Sequence, residues 1–196
     1  MRKIISVLLC SLFALQFLSG YSYSNDNNIP ETLLKTYDKC FTNSSCDVYY
    51  ADVNCKTPLI YHKYYKDSET FRVDCFTGTT DEVIDITRPG ERVIYHSNTK
   101  MIEKYGSGAI PAIKLIKDNK VEETDSGENT TYKFEYLACK IKWTCEITID
   151  KQKMLLIGET FYDMDGKLKN THTYKNWKFE KFNEKLLDYK FSPSKK

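Results

Sequence analysis

A strictly alternating segment in the last third of the chain constrains the fold more than any other feature. From Cys139 to Asp150, Cys, Ile or Trp occupies every second position and polar residues fill the positions between, for twelve residues. Successive side chains of a β-strand point to opposite faces, so the pattern predicts a strand with one buried and one solvated face, typical of antiparallel sheets. The apolar positions are Cys139, Ile141, Trp143, Cys145, Ile147 and Ile149.

Turn signals recur at strand-like intervals along the rest of the chain, and the segments between them are rich in Val, Ile, Thr, Tyr and Phe. In one of these segments Phe71, Val73 and Cys75 alternate with Arg72 and Asp74. The pattern predicts a meander of antiparallel hairpins. The turn segments are 66–68, 88–90, 97–99, 117–119, 125–127 and 163–166.

Only the segment 27–39 has the features of a helix. Pro30 lies near its first turn, Glu31 occupies the position that the helix dipole favours, and Leu33, Leu34 and Tyr37 have spacings that share a face. The predicted fold class is therefore α+β and mostly β, with one short N-terminal helix and an antiparallel sheet, to which the family resemblance described below adds curvature into a half-barrel.

The N-terminus has the pattern of a secretory signal peptide, because Arg2 and Lys3 precede an apolar run over 4–18 that ends in small and polar residues. The run is too short to span a bilayer as a helix, so no stable membrane insertion is expected. We assign 1–22 to the signal peptide and 23–196 to a single exported domain, periplasmic or secreted.

The charge balance argues against nucleic-acid binding. The chain has 29 basic and 27 acidic residues, and loss of Arg2 and Lys3 with the leader makes the two counts equal. A nucleic-acid surface needs concentrated positive charge, which a neutral chain does not predict.

Six cysteines remain after removal of the leader, and an even number in an oxidising compartment predicts three disulfides. Their closest spacing leaves five residues between them, wider than structural zinc sites use. We expect a local bridge from Cys40 to Cys46. Cys55 and Cys75 are expected to pair with Cys139 and Cys145, in an order that the sequence leaves open.

No motif predicts catalysis, a metal or a cofactor. The three histidines are scattered, and the acidic turn at 163–166 lacks the glycine and glutamate positions of a calcium loop. We therefore expect no enzyme. The 15 Tyr, 10 Phe and 2 Trp residues fit either ordinary strand packing or an aromatic-lined pocket.

Three stretches together resemble the LolA and LolB superfamily of periplasmic lipoprotein carriers. The first begins at Glu69-Thr70-Phe71-Arg72 and continues through 83–85 to 92–105, like a strand carrying Phe-Arg followed by a hairpin that ends in a tyrosine and a basic residue. The second is the alternating strand at 139–150. The third, 158–169 with 191–193, resembles the last hairpin and terminal strand of that superfamily.

The resemblance implies a half-barrel sheet around an apolar cavity, lidded by helices, that receives acyl chains. It implies a lipid or an acylated protein as partner, and it places Arg72 near the strand arginine of the carriers. The residues that it implies as the cavity lining are Phe71, Arg72, Val73, Ile141, Trp143, Ile147 and Ile149.

Three functional hypotheses follow. The first is a carrier-like binder of a lipid or other apolar ligand, which would bury acyl surface at roughly 0.8 kcal/mol per methylene. The second is a secreted protein-binding module, such as an inhibitor or host-interaction factor, with a protein partner and no small ligand. The third is a hydrolase with an unrecognised carboxylate pair.

Overall fold

The computed structural model describes residues 29–54, 58–106, 113, 116–138 and 140–190, with the backbone alone at 117–119. The predicted signal peptide, 1–22, lies outside the described residues. The described part holds one α-helix, eleven strands and one 3-10 turn at Glu184–Leu187. The helix is α1 (Glu31–Cys40), and the strands are β1 (Ser44–Asp52), β2 (Leu59–Tyr65), β3 (Phe71–Cys75), β4 (Val83–Arg88), β5 (Glu91–His96), β6 (Met101–Tyr105), β7 (Ile116–Ser126), β8 (Asn129–Ala138), β9 (Ile141–Asp150), β10 (Leu155–Tyr162) and β11 (Leu168–Phe179).

All eleven strands form a single open antiparallel sheet in the order β6-β5-β4-β3-β2-β1-β11-β10-β9-β8-β7. Two meanders, β1 to β6 and β7 to β11, are joined where β1 pairs with β11. The mostly β fold with one helix confirms the coarse prediction of an antiparallel meander.

Five of the six predicted turns lie between paired strands. The segment 117–119 is instead part of β7, at the point where the pairing with β8 shifts register between Ile116 and Val121. The predicted helix is present at Glu31–Cys40, but Leu34 on it is exposed, whereas Leu33 and Tyr37 are buried.

The core lies between α1 and one face of the sheet, which we call the inner face and define by Val48, Tyr61, Ile147 and Tyr174. Helix α1 packs across β10. Its last turn is fixed there because the backbone N–H of Leu156 donates to Cys40 Sγ at 3.3 Å.

The opposite, outer face of β3 to β5 is covered by residues 180–190, the C-terminal segment. The guanidinium of Arg72 donates to the carbonyl of Leu186 at 3.0 Å, and that of Arg88 donates to the carbonyl of Leu187 at 2.6 Å. Because both faces of β4 are covered, five of its six residues are buried.

The disulfide staple is a wrong prediction for the four described cysteines, since Cys40, Cys46, Cys75 and Cys145 are all free thiols. Cys40, Cys46 and Cys145 are buried in the core, where they serve as small apolar residues. Cys75 on β3 and any partner on β9 are kept apart by four intervening strands. Cys55 and Cys139 lie outside the described residues.

Candidate functional site

The inner face brings together most of the residues predicted to line a cavity. Phe71 is buried beside Tyr65, with ring centroids 5.7 Å apart, and Val73 packs at the edge of the core. Ile147 and Ile149 are fully buried within the core.

Along β9 the same face becomes progressively more accessible. Trp143 is half-buried, and Ile141, at the start of the strand, is 48% exposed. The predicted lining residues therefore divide into a packed centre and an accessible rim at one end of β9.

Arg72 does not belong to this group. Its side chain lies on the outer face, where it pairs with Asp74 (Nη2 to Oδ2, 2.9 Å) and lies over the ring of Tyr189 at 5.4 Å. Since Phe71 and Val73 flank it on the strand and point inward, alternation places Arg72 outward. It holds the C-terminal segment instead of lining the inner face.

A buried carboxylate lies at the centre of the inner face. Glu159 on β10 is 6% exposed, and its Oε2 accepts a hydrogen bond from the hydroxyl of Tyr174 at 2.6 Å. His172 Nδ1 lies 3.3 Å from the same oxygen. The imidazole of His172 is packed between the rings of Tyr50 and Phe161, with centroids 5.3 and 5.4 Å away.

Burial and these partners act in opposite directions on Glu159. Burial raises the pKa of its carboxyl, but the hydrogen bonds from His172 and from the hydroxyl of Tyr174, together with the ammonium charge of Lys63, outweigh burial, and the net pKa is lowered. Burial lowers the pKa of His172 more than the carboxylate raises it. The arrangement favours an ionised Glu159 beside a neutral imidazole that donates from Nδ1.

A second ion pair lies on the inner face of β4 and β5. Arg92 donates to Asp85 from Nη2 at 2.8 Å and from Nε at 3.1 Å, and both side chains are buried. The charges of Arg92 and Asp85 compensate each other, so this pair links β4 to β5 without leaving a net charge on the inner face.

Several buried polar atoms on the inner face lack a partner among the described residues. They include the hydroxyls of Tyr65 and Tyr136 and the side-chain oxygen of Asn170. The ring centroids of Tyr136 and Phe161 are 6.5 Å apart. In the register of the sheet, Phe161 lies beside Asn170 of β11 and beside Cys145 of β9. Buried polar atoms are ordinarily satisfied by protein, water or a ligand.

Sequence reasoning missed the polar residues of the inner face. Glu159 and Lys63 both occupy inward positions in strand patterns, and neither belongs to a motif. Strand alternation is the local signal that could have found them. Lys63 lies two residues after Tyr61 and two residues before Tyr65, which both point inward, so its side chain points inward as well.

Within the described ranges, no group of three His, Cys, Asp or Glu residues is arranged to hold a metal ion. None of the helical segments among those residues is long and apolar enough to cross a membrane.

Comparison with known proteins finds a likeness in fold. No protein-family model matches the chain, and no curated protein does. The chain is similar to an uncharacterised conserved protein from Thermus thermophilus, with 17% identity, a TM-score of 0.58, and coverage of 83% of this chain and 93% of that chain.

Two further solved structures are more distant. A LolA superfamily protein from Nitrosomonas europaea has 8% identity and a TM-score of 0.49, with 80% of this chain and 96% of that chain covered. The MucA/MucB complex of Pseudomonas aeruginosa has 12% identity and a TM-score of 0.46, with 79% and 59% covered. At these identities the likeness concerns the fold alone.

Proposed function

We propose that this protein is an exported, periplasmic or secreted, binder of a lipid or other apolar ligand, which it holds against the inner face of the sheet. The proposed role is binding, with no catalytic step. The observation that carries the proposal is the extent of the apolar inner face relative to the described helix that covers part of it.

The dimensions support this proposal. A ten-residue helix is about 15 Å long, whereas eleven strands spaced about 4.8 Å apart extend about 48 Å. Apolar side chains at the margin of the core, such as Leu59, Val73 and Trp143, are only partly buried. An acyl chain that packs against these side chains would bury its own methylene groups and the exposed surface of the side chains at the same time.

Delipidated protein tests the proposal when it is titrated with a fluorescent fatty acid. Saturable binding by the wild type and a weakening of about tenfold or more in Trp143→Glu are expected, because the new carboxylate would stand in the path of the acyl chain. Ile60→Glu is the matched control, since Ile60 is an exposed apolar residue on the outer face of β2. The proposal is wrong if extracted wild-type protein takes up neither fatty acid nor phospholipid.

One observation favours a protein partner as the second candidate. Among the described residues, the edge strand β6 has a neighbour on one side only, and Met101 and Ile102 on it are each about half exposed. An open edge of this kind can accept a strand from another chain. Lys104→Pro would remove one edge N–H and should abolish capture of such a partner without changing fatty-acid binding.

A further inference from the structure

We propose that Lys63 is the anchor for the anionic head group, a carboxylate or a phosphate, of an amphiphilic ligand on the inner face. The inference rests on the proposed function and deepens it by naming the chemical class of the ligand. Three observations carry it: the direction of the Lys63 side chain, its aromatic surroundings, and a buried hydroxyl on one of those aromatic rings.

Lys63 points inward from the centre of β2. Its cross-strand neighbours are Cys46 on β1 and Val73 on β3, both of which belong to the core or pack against it. Unlike Arg72, which points outward, it therefore places a positive charge on the face proposed to hold the ligand. Its side chain is half-buried and still reached by solvent.

Three tyrosine rings surround the ammonium, and we call them the tyrosine cage. Lys63 Nζ lies 5.7 Å from the ring centroid of Tyr61, 5.9 Å from that of Tyr65 and 6.0 Å from that of Tyr174. Cation–π attraction of this kind stabilises a partly desolvated ammonium, but it uses none of its three N–H donors.

No described carboxylate forms an ion pair with Lys63, and no described atom accepts a hydrogen bond from it. Glu159 is close enough to respond to its charge, yet its hydrogen bonds come from Tyr174 and His172. Arg92, which also points inward, is held by Asp85. The donors of Lys63 thus remain open to a ligand.

The hydroxyl of Tyr65 supplies the second polar contact. Tyr65 is 3% exposed, its hydroxyl lacks a partner among the described residues, and its ring belongs to the tyrosine cage. An anion bound by the ammonium can also accept this O–H, since charge-assisted hydrogen bonds are the stronger kind. The acyl chain would then extend along the apolar residues of the inner face.

Three ligands of equal chain length test the inference at neutral pH: dodecanoate, dodecyl phosphate and uncharged dodecanol, each displacing the same fluorescent probe. The wild type is expected to prefer at least one anion over the alcohol by about tenfold or more. The preferred anion identifies the head group as carboxylate or phosphate.

Variants of Lys63 test whether this residue causes the preference for an anion over the alcohol. Lys63→Met should abolish this preference by weakening the binding of the preferred anion about tenfold or more. Lys63→Arg should retain the preference, and Tyr65→Phe should reduce it several-fold. Lys175→Met is the matched control, because Lys175 also lies over a tyrosine ring, at 4.5 Å from Tyr49, but is exposed on the outer face. Thermal melting of each variant establishes that it folds.

The possible failures are distinguishable. Equal affinity of the wild type for all three ligands, or an unchanged preference in folded Lys63→Met, would overturn the inference and leave the proposed function standing. No displacement by any of the three would overturn both.

Discussion

The hydroxyl of Tyr174 donates a 2.6 Å hydrogen bond to the buried carboxylate of Glu159, and the two residues come from adjacent strands at the centre of the sheet. The carboxylate is almost fully removed from water, so its ionised form depends on this donor and on His172. The centre of the inner face is therefore held by a charge, and its stability responds to mutation and to pH in ways that can be measured.

Tyr174→Phe removes the donor and keeps the ring. Hydrogen bonds to buried charged groups contribute about 1.5 to 3 kcal/mol, so we expect the free energy of unfolding in urea to fall by that amount. Tyr162→Phe is the control, because its hydroxyl donates to Glu146 at 3.0 Å on the outer face, where water can replace it. Equal losses in the two variants would contradict an ionised, buried Glu159.

The stability should decrease as the pH falls. The folded-state pKa of His172 lies below its ordinary value of 6.5, and that of Glu159 lies below 4.5. In each window the unfolded chain binds more protons than the folded protein, so acid favours unfolding, first below about 6.5 through His172 and then below about 4.5 through Glu159. Urea unfolding measured from pH 8 to pH 4 follows both steps.

His172→Phe assigns the first step. It keeps an aromatic ring between Tyr50 and Phe161 and removes the titrating group, so the loss between pH 6.5 and 5 should disappear. The loss below 4.5 should shrink as well, because Glu159 also loses the partner that lowers its pKa most. A wild-type stability that does not change from pH 7 to pH 5 would refute the prediction.

The buried pair of Arg92 and Asp85 should be strongly coupled. Arg92→Met leaves a buried aspartate without its main partner, and we expect a loss of about 3 to 5 kcal/mol in the free energy of unfolding. The double variant Arg92→Met, Asp85→Leu should recover much of that loss, because no buried charge remains.

An exposed pair provides the reference for this cycle. Lys142 and Glu135 lie 2.7 Å apart on the surface with more than half of each side chain exposed, and Lys142→Met should change the stability by less than about 1 kcal/mol. If the double variant Arg92→Met, Asp85→Leu is as unstable as Arg92→Met alone, Arg92 and Asp85 do not act as a pair.

The four described cysteines should be reduced and unreactive in the folded protein. Burial raises the pKa of Cys40 to about 11 and that of Cys75 to about 12, and it also raises the pKa of Cys46 and of Cys145. The reactive thiolate is therefore scarce at pH 8.

Alkylation by iodoacetamide without prior reduction, followed by peptide mass mapping, measures this. Labelling of Cys40, Cys46, Cys75 and Cys145 should be slow in buffer and complete in urea. A disulfide-linked peptide containing any of the four would restore the stapled fold that the sequence predicts.

Strand periodicity predicted most of the fold, because it is a local property. The alternation over Phe71 to Cys75 and along β9 assigns faces correctly in both strands. The same alternation directs Arg72 to the face of the sheet that Phe71 does not occupy. The lining role that the family resemblance implies for Arg72 therefore conflicts with the strand pattern itself.

The remaining features depend on contacts that are distant in sequence. The inward lysine and glutamate are recognisable only once β2, β10 and β11 are in register. The even number of cysteines suggests bridges only until Cys40, Cys46 and Cys145 are seen as buried free thiols. The covering of both faces of β4 has a local signal, the run Val83-Ile84-Asp85-Ile86, but nothing local identifies the C-terminal segment as its cover.

Because β1 pairs with β11, the centre of the sheet can form only when both the first and the last strand of the chain are present. The centre of the sheet joins its first strand to its last, and Arg72 meets the carbonyl of Leu186 across 114 residues of sequence. Contacts of such high sequence separation slow folding, because the loop must close before they form. A chain emerging from the ribosome therefore has no way to complete the native sheet until β11 has been made, and until then β1 exposes an unpaired edge at what will become the middle of the molecule.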